Sequence, residues 1–248
     1  MMLVMPANNS KWQVHYWQGA YGGLGHLYSP GSQKGPYPHL PYALDNGAFP
    51  AWTKGIEWDE AAWFALLQWA ATQEQKPLWV LVPDVVADRK ATIERWGKYE
   101  PITREHLSGV PLAFAVQDGM QVDDVPHGVD VIFVGGTTEW KWETAHTWCR
   151  AFPRVHIGRV NSYAHLIAAS TCGAESTDGT GWFRGDKKQL RGLEQFLEEQ
   201  SANAGRSPRA TASMVAAFTQ RGINCGQGMD DRPNAKQLSI FGANLEAC

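Results

Sequence analysis

Leu78-Trp79-Val80-Leu81-Val82-Pro83-Asp84 is an unbroken apolar run that ends, one proline later, on a carboxylate. A strand with one wet face alternates apolar and polar residues, whereas a continuous apolar run fits a strand of a parallel sheet covered on both faces. Working outward, similar runs occur at 3–5, 42–44, 112–116, 129–134 and 155–157, with a seventh in the segment entering Gly173. Amphipathic stretches separate them. Asp59 precedes Trp63, Phe64, Leu67 and Ala70, and Asp88 precedes Ile93 and Trp96. Thr137 or Thr138 precedes Trp140, Ala145 and Trp148, Ser162 precedes Leu166 and Ile167, and Asp186 precedes Leu190, Leu193, Phe196 and Leu197. Each is a capping residue ahead of an apolar stripe at helical spacing.

Strands alternating with helices predict an α/β fold, a (β/α)8 TIM-type barrel over residues 1–202, with a doubly wound sheet as the alternative. The eighth strand is the weak point of this reading. Residues after Ser201 are rich in Ala, Gly, Ser and Asn, so the barrel is expected to close irregularly, and 203–248 is set apart as a C-terminal extension. Residues 8–41, with several Gly and Pro, read as a long loop over one end. Gly22-Gly23-Leu24-Gly25 within it follows no expected strand and reads as plain loop rather than a phosphate cradle.

A chain of 248 residues with 44% apolar and 19% charged content can bury a sizeable core in one domain. Twelve tryptophans are first of all packing, with a minority available to stack on bases. A net charge of −3 advertises no global field for nucleic acid, so any such contact needs a local basic stripe. Arg184, Lys187, Lys188 and Arg191 form one candidate, with Arg206 and Arg209 further on; a solvated helix face is the competing reading. Cys149, Cys172, Cys225 and Cys248 contain no Cys-x-x-Cys pair, so neither a zinc site nor a redox motif is signalled. The start, Met1-Met2-Leu3-Val4-Met5-Pro6, lacks a basic leader, and no apolar run nears the roughly 20 residues of a membrane span. A soluble, cytoplasmic protein with no membrane partner is expected.

Polar groups collect at the strand ends. The runs are followed by Asp45-Asn46-Gly47, Pro83-Asp84, Gln117-Asp118-Gly119, Gly135-Gly136-Thr137-Thr138, Gly158-Arg159-Val160-Asn161, and Glu175 with Asp178. In a barrel these ends converge on one face, where barrel active sites lie. Capping and turn formation account for any single one; six on one face point to a site. Carboxylate, amide and glycine backbone together suit a planar heterocycle. Asp45 and Asp178 supply the carboxylate pair that glycosyl transfer needs, one nucleophile and one proton shuttle.

The succession Asp45-Asn46-Gly47-Ala48-Phe49, Asp84, Val116-Gln117-Asp118-Gly119, Gly135-Gly136, Gly158-Arg159-Val160 and Gly173-Ala174-Glu175-Ser176-Thr177-Asp178 resembles the tRNA-guanine transglycosylase superfamily. That family carries, in the same order, Asp-Ser-Gly-Gly-Phe-Gln, a base-binding Asp, Val-Gln-Gly-Gly, Gly-Gly-Leu, Met-Gly-Val-Gly and Gly-Ile-Asp-Met-Phe-Asp with the nucleophile last. The resemblance covers roughly residues 42–180 through motif order and spacing. Departures are Asn46 in place of Ser, Asp118 within the Gln-Gly-Gly pattern, and Gly179-Thr180 after the nucleophile position. No counterpart of the family's Cys-rich zinc module follows it. In this the chain resembles the DNA-guanine transglycosylase branch of phages and bacterial DNA-modification islands, whose members exchange guanine in DNA for a 7-deazaguanine such as 7-cyano-7-deazaguanine (preQ0).

The resemblance implies that Asp178 is the nucleophile and Asp45 the proton shuttle. Asp84 and Gln117 would read the base's donor edge, Gly135 and Gly136 would offer backbone N–H to its carbonyl, and Asn46, Phe49 and Gly158 would complete the pocket. It implies DNA, guanine and a 7-deazaguanine as partners, and neither metal nor cofactor; a phage-encoded member would act in the host cytoplasm. Gln237-Leu238-Ser239-Ile240-Phe241 resembles the Gln-Leu-(Ser/Asp)-Leu-Phe peptide that docks on the bacterial replication sliding clamp, with ordinary tail packing as the alternative. Three functional alternatives stay open: exchange in tRNA, hydrolytic base release by the same carboxylates, and a catalytically silent DNA- or clamp-binding barrel.

Overall fold

Apolar runs become barrel staves in the computed structural model, which describes residues 1–7, 11–32 and 34–203. The strands are β1 (Leu3–Pro6), β2 (His26–Tyr28), β3 (Tyr42–Leu44), β4 (Val80–Leu81), β5 (Leu112–Val116), β6 (Val131–Val134), β7 (Val155–Ile157) and β8 (Ser176–Gly179). Helix α1 (Trp12–Ala20) follows β1, α2 (Ala48–Lys54) and α3 (Glu60–Thr72) follow β3, and α4 (Arg89–His106) follows β4. Helices α5 (Thr138–Ala151), α6 (Tyr163–Cys172) and α7 (Lys187–Ala202) follow β6, β7 and β8. The strand order is β1-β8-β7-β6-β5-β4-β3-β2, with every neighbouring pair parallel. Two isolated parallel bridges, Val4 to Leu24 and Ala7 to Leu27, join the ends of that order. The sheet therefore curls into the expected (β/α)8 barrel, and the doubly wound alternative, an open sheet with two free edges, is excluded.

Two elements lie elsewhere than the sequence reading placed them. The eighth strand comes from within residues 8–41, as β2, not from the tail. His26-Leu27-Tyr28 is short and carries one aliphatic residue, so it has no apolar run to betray it; it forms because its backbone pairs with β3. Helix α1 shares that segment and buries only Val14 and Trp17. The segment entering Gly173 is helix α6, not a strand, and Gly173 ends it at φ 91°, a left-handed conformation that favours glycine. The strand comes afterwards, as β8, and none of its residues is aliphatic. Asp178 thus sits in the strand itself.

The core has two layers. Trp79, Leu81, Ala113, Ala115, Val131 and Met5 fill the barrel interior, while Val80, Leu112, Phe114 and Ile132 pack outward with Trp63, Leu67, Trp96 and Trp148 of the helices. Tryptophan is thus mainly packing: Trp63, Trp79, Trp148 and Trp182 are fully buried, whereas Trp12 and Trp52 are exposed. Four helix starts behave as expected, whereas Thr137, which precedes α5, makes no side-chain cap and donates its hydroxyl to Asp118 instead. Asp59, Asp88, Ser162 and Asp186 each accept a backbone N–H of the first turn, and such a cap contributes about 1 kcal/mol. Residues 237–241, Arg206 and Arg209 lie outside the described residues. Among the described residues no helix is long and apolar enough to cross a membrane.

Candidate active site

Strand parity aims the site. Ala43, Ala115 and Phe133 point into the barrel, as do His156, packed on Trp79 and Phe133, and its partner Ser176. Two residues on, at the carboxyl ends, Asp45, Gln117, Gly135, Gly158 and Asp178 therefore have the same inward parity. Asp45 accepts a 2.9 Å hydrogen bond from Ser29 Oγ. Burial pushes its carboxyl up to about 7; the Ser29 hydrogen bond opposes this, and the carboxylates of Asp178 and Asp84 add to it. Its proton is therefore exchangeable near neutral pH.

Asn46, Asp84 and Gln117 form a buried polar chain. Asn46 Nδ2 donates to Asp84 Oδ1 (2.7 Å) and to the Val82 carbonyl (3.1 Å), while its Oδ1 accepts from Ala48 N at the start of α2 (2.8 Å). Gln117 Nε2 donates to Asp84 Oδ2 (2.6 Å), and its Oε1 accepts from Ala87 N and Gly136 N, both at 3.1 Å. Burial raises the Asp84 carboxyl, against the Asn46 hydrogen bond and the Arg95 charge. Gly135 and Gly136 differ from expectation here. Gly135 N donates to the Val116 carbonyl and Gly136 N to Gln117, so both N–H groups are engaged within the barrel rather than turned to a ligand. Gly136 is nonetheless required: at φ 65°, a Cβ there would come within 2.6 Å of both Asp118 Oδ2 and the Trp140 ring. Asp118, in turn, holds Thr137 at the head of α5 through N (2.8 Å) and Oγ1 (2.5 Å).

Asp178 is 7% exposed at the mouth. Its Oδ1 accepts from Arg159 N (2.9 Å) and faces His156 Nε2 (3.1 Å), while its Oδ2 has no hydrogen bond among the described residues. His156 is wholly buried, stacked on Phe133 with ring centroids 4.7 Å apart and edge-on to Trp79 at 4.8 Å, and its Nδ1 lies 2.9 Å from Ser176 Oγ. Gly158 lets these groups close in, since a Cβ there would meet the Phe133 ring at 2.8 Å and Asp178 Oδ1 at 3.4 Å. Arg159 has φ 58°, a left-handed conformation that costs a non-glycine residue about 1–3 kcal/mol. It is held there by stacking of its guanidinium 4.3 Å over the Phe49 ring and by a hydrogen bond to the Gly136 carbonyl.

The structure thus brings Asp45, Asn46, Phe49, Asp84, Gln117, Gly135, Gly136, Gly158 and Asp178 to one end. Arg184, Lys187, Lys188 and Arg191 are exposed on the turn after β8 and the start of α7, which places them at that same end. Glu175 is elsewhere: it precedes β8 at the opposite end and is clamped by Arg154 through two 2.8 Å bonds. Sequence reading missed His156 and Ser29 as site residues. A histidine flanked by Val155 and Ile157, two positions before Gly158, was the available signal for the first; Ser29 was hidden with β2. Among the described residues no cluster of three or more His, Cys, Asp or Glu could hold a metal ion.

No family model matches the chain, and no curated protein matches it. Among solved structures, the tryptophan synthase alpha subunit of Legionella pneumophila is similar, at 8% identity and TM-score 0.50 over 83% of this chain and 94% of that one. The BexX/CysO complex of Amycolatopsis orientalis matches at 11% identity and TM-score 0.48, covering 85% and 95%. Dihydrodipicolinate synthase DapA-2 of Bacillus anthracis matches at 13% identity and TM-score 0.42, covering 100% and 99%. At such identities the likeness concerns the fold alone, and the first of the three agrees with the eight-stranded barrel; function has to be argued from the side chains.

Proposed function

We propose that this chain is a pentosyltransferase that exchanges guanine in DNA for a 7-deazaguanine base through a covalent aspartyl-deoxyribose intermediate. One observation carries the reading: Asp178 has one carboxylate oxygen fixed and the other without a hydrogen bond among the described residues, in a mouth it shares with Asp45, whose proton is exchangeable near pH 7. Asp178 Oδ2 attacks C1′ of a deoxyguanosine as the C1′–N9 bond breaks, and Asp45 gives a proton to N9 of the leaving guanine. The incoming deazaguanine then loses its N9 proton to Asp45, and N9 displaces Asp178 from C1′, restoring both carboxyl groups. The exchange is redox-neutral.

Asp84 and Gln117 read the base. Each Asp84 oxygen already accepts one amide N–H but keeps a second lone pair for the base's donor edge. The target nucleotide has to leave the duplex stack, at a few kcal/mol, or be single-stranded. DNA is the proposed substrate, with tRNA as the alternative, and the exposed Arg184, Lys187, Lys188 and Arg191 offer phosphate contacts at the rim. Residues 237–241 add the replication clamp as a proposed partner; clamp retention unchanged by their deletion would end that part of the proposal. The whole reading is tested by incubating the protein with labelled guanine and either duplex DNA or tRNA. Label in DNA is the expected result, label in tRNA transfers the activity to RNA, release of free base makes the protein a hydrolase, and no reaction leaves a binding barrel.

A further inference from the structure

Lys141 is the most deeply buried lysine or arginine among the described residues, and the exchange mechanism does not use it. It is 1% exposed and the fourth residue of α5, in the first turn, where the positive end of the helix dipole disfavours a cation. Burying an ammonium group is costly unless it is paired and hydrogen-bonded. Its Nζ donates to the Gly158 carbonyl at 2.6 Å. The Trp142 ring centroid lies 5.6 Å away. Burial pushes the Lys141 ammonium down to about 7; the charge of Arg159 acts in the same direction, and the carboxylate of Asp178 opposes both. His165, stacked on Trp142, is the neighbour from α6.

The peptide that Lys141 grips is the one that serves the candidate nucleophile. Gly158 C=O and Arg159 N–H belong to the same planar amide, with Lys141 Nζ on the oxygen and Asp178 Oδ1 on the hydrogen. A donor on the carbonyl polarises the amide and makes its N–H a stronger donor, most of all while the lysine carries its extra proton. The same contact anchors a unit followed by a left-handed arginine, so it also fixes the direction in which that N–H points. We propose that Lys141 is a positioning residue that acts through the Gly158–Arg159 peptide, orienting Asp178 so that one oxygen is held and the other faces the sugar. The contact itself is independent of any activity; its catalytic meaning rests on the exchange reading above.

Two measurements on the full chain test this. The amide proton of Arg159 is followed by NMR in wild type and in Lys141→Met, with the β5 amides as a check on the fold. The resonance should move upfield and exchange with solvent faster in the variant, and Lys141→Gln, which keeps a donor without the charge, should fall between. An Arg159 amide unchanged in both variants overturns the proposal. In the labelled-guanine assay, turnover in Lys141→Met should fall by about tenfold while the KM for free base stays put, as expected of a group acting on the nucleophile. Turnover equal to wild type overturns the catalytic role, and so does a loss of base affinity in step with turnover, which would mark Lys141 as merely structural. A wild-type protein that exchanges no base refutes the proposed function, and the amide measurement still decides the Lys141 contact.

Discussion

His156 and Asp178 are joined inside the barrel, Nε2 to Oδ1 at 3.1 Å, with no solvent reaching the imidazole. The candidate nucleophile therefore stands on a rigid support: Phe133 and Trp79 pack the ring, and Ser176 holds its far nitrogen. Asp178→Asn should retain the fold and lose base exchange altogether. Substantial exchange in that variant, read as labelled guanine entering DNA, would sink the assignment.

His156→Phe fills the same space without a ring nitrogen and leaves Ser176 Oγ and Asp178 Oδ1 short of a partner. Stability should fall by about 1–3 kcal/mol in chemical denaturation, the cost of unsatisfied buried polar groups. Exchange should fall with it, while DNA binding, proposed to rest on the rim residues, should stay at the wild-type level.

Asp45 makes stability and activity depend on pH in a set direction. The unfolded chain releases this proton near 3.8 and the folded one near 7, so between those values the unfolded state binds fewer protons and stability falls as pH rises. Asp45→Asn escapes that loss. It should be more stable than wild type above about pH 7 by on the order of 1–3 kcal/mol, after allowance for solvent at the mouth, with the advantage gone below about pH 4. Base departure in wild type should slow as pH rises through about 7, where the acid loses its proton. Parallel urea melts and rate profiles of the two proteins check both statements.

Gly136→Ala forces a side chain into a left-handed position already filled by Asp118 and Trp140. Destabilisation of about 1–3 kcal/mol is expected from overpacking alone. A melting temperature equal to wild type would show that the β6–α5 turn is looser than its contacts indicate.

Charge reversal of Lys187 and Arg191 should weaken DNA binding without changing the melting temperature, because both side chains are exposed. The slope of log affinity against log salt should flatten by about one for each phosphate contact removed. Unchanged binding at every salt concentration would return this cluster to an ordinary solvated helix face.

The amino-acid sequence by itself determined the fold class and most of the helix starts. Residues 78–82 and 112–116 advertise two-sided burial, and Asp59, Asp88, Ser162 and Asp186 mark caps, because both signals are local: an apolar run and a side chain within reach of its own first turn. It also brought Asp45, Asp84, Gln117 and Asp178 forward as residues at strand ends. Tertiary structure alone decided how the barrel closes and what those residues touch. His26–Tyr28 and Ser176–Gly179 are strands because neighbours supply their ladders, and no property of three or four residues in isolation announces that. The engagement of the Gly135 and Gly136 N–H groups, the support of His156 beneath Asp178, and the grip of Lys141 on the Gly158 peptide all join residues brought together by the curling of the sheet. Spacing along the chain has no term for such contacts, since their distances are set by strand register and barrel curvature.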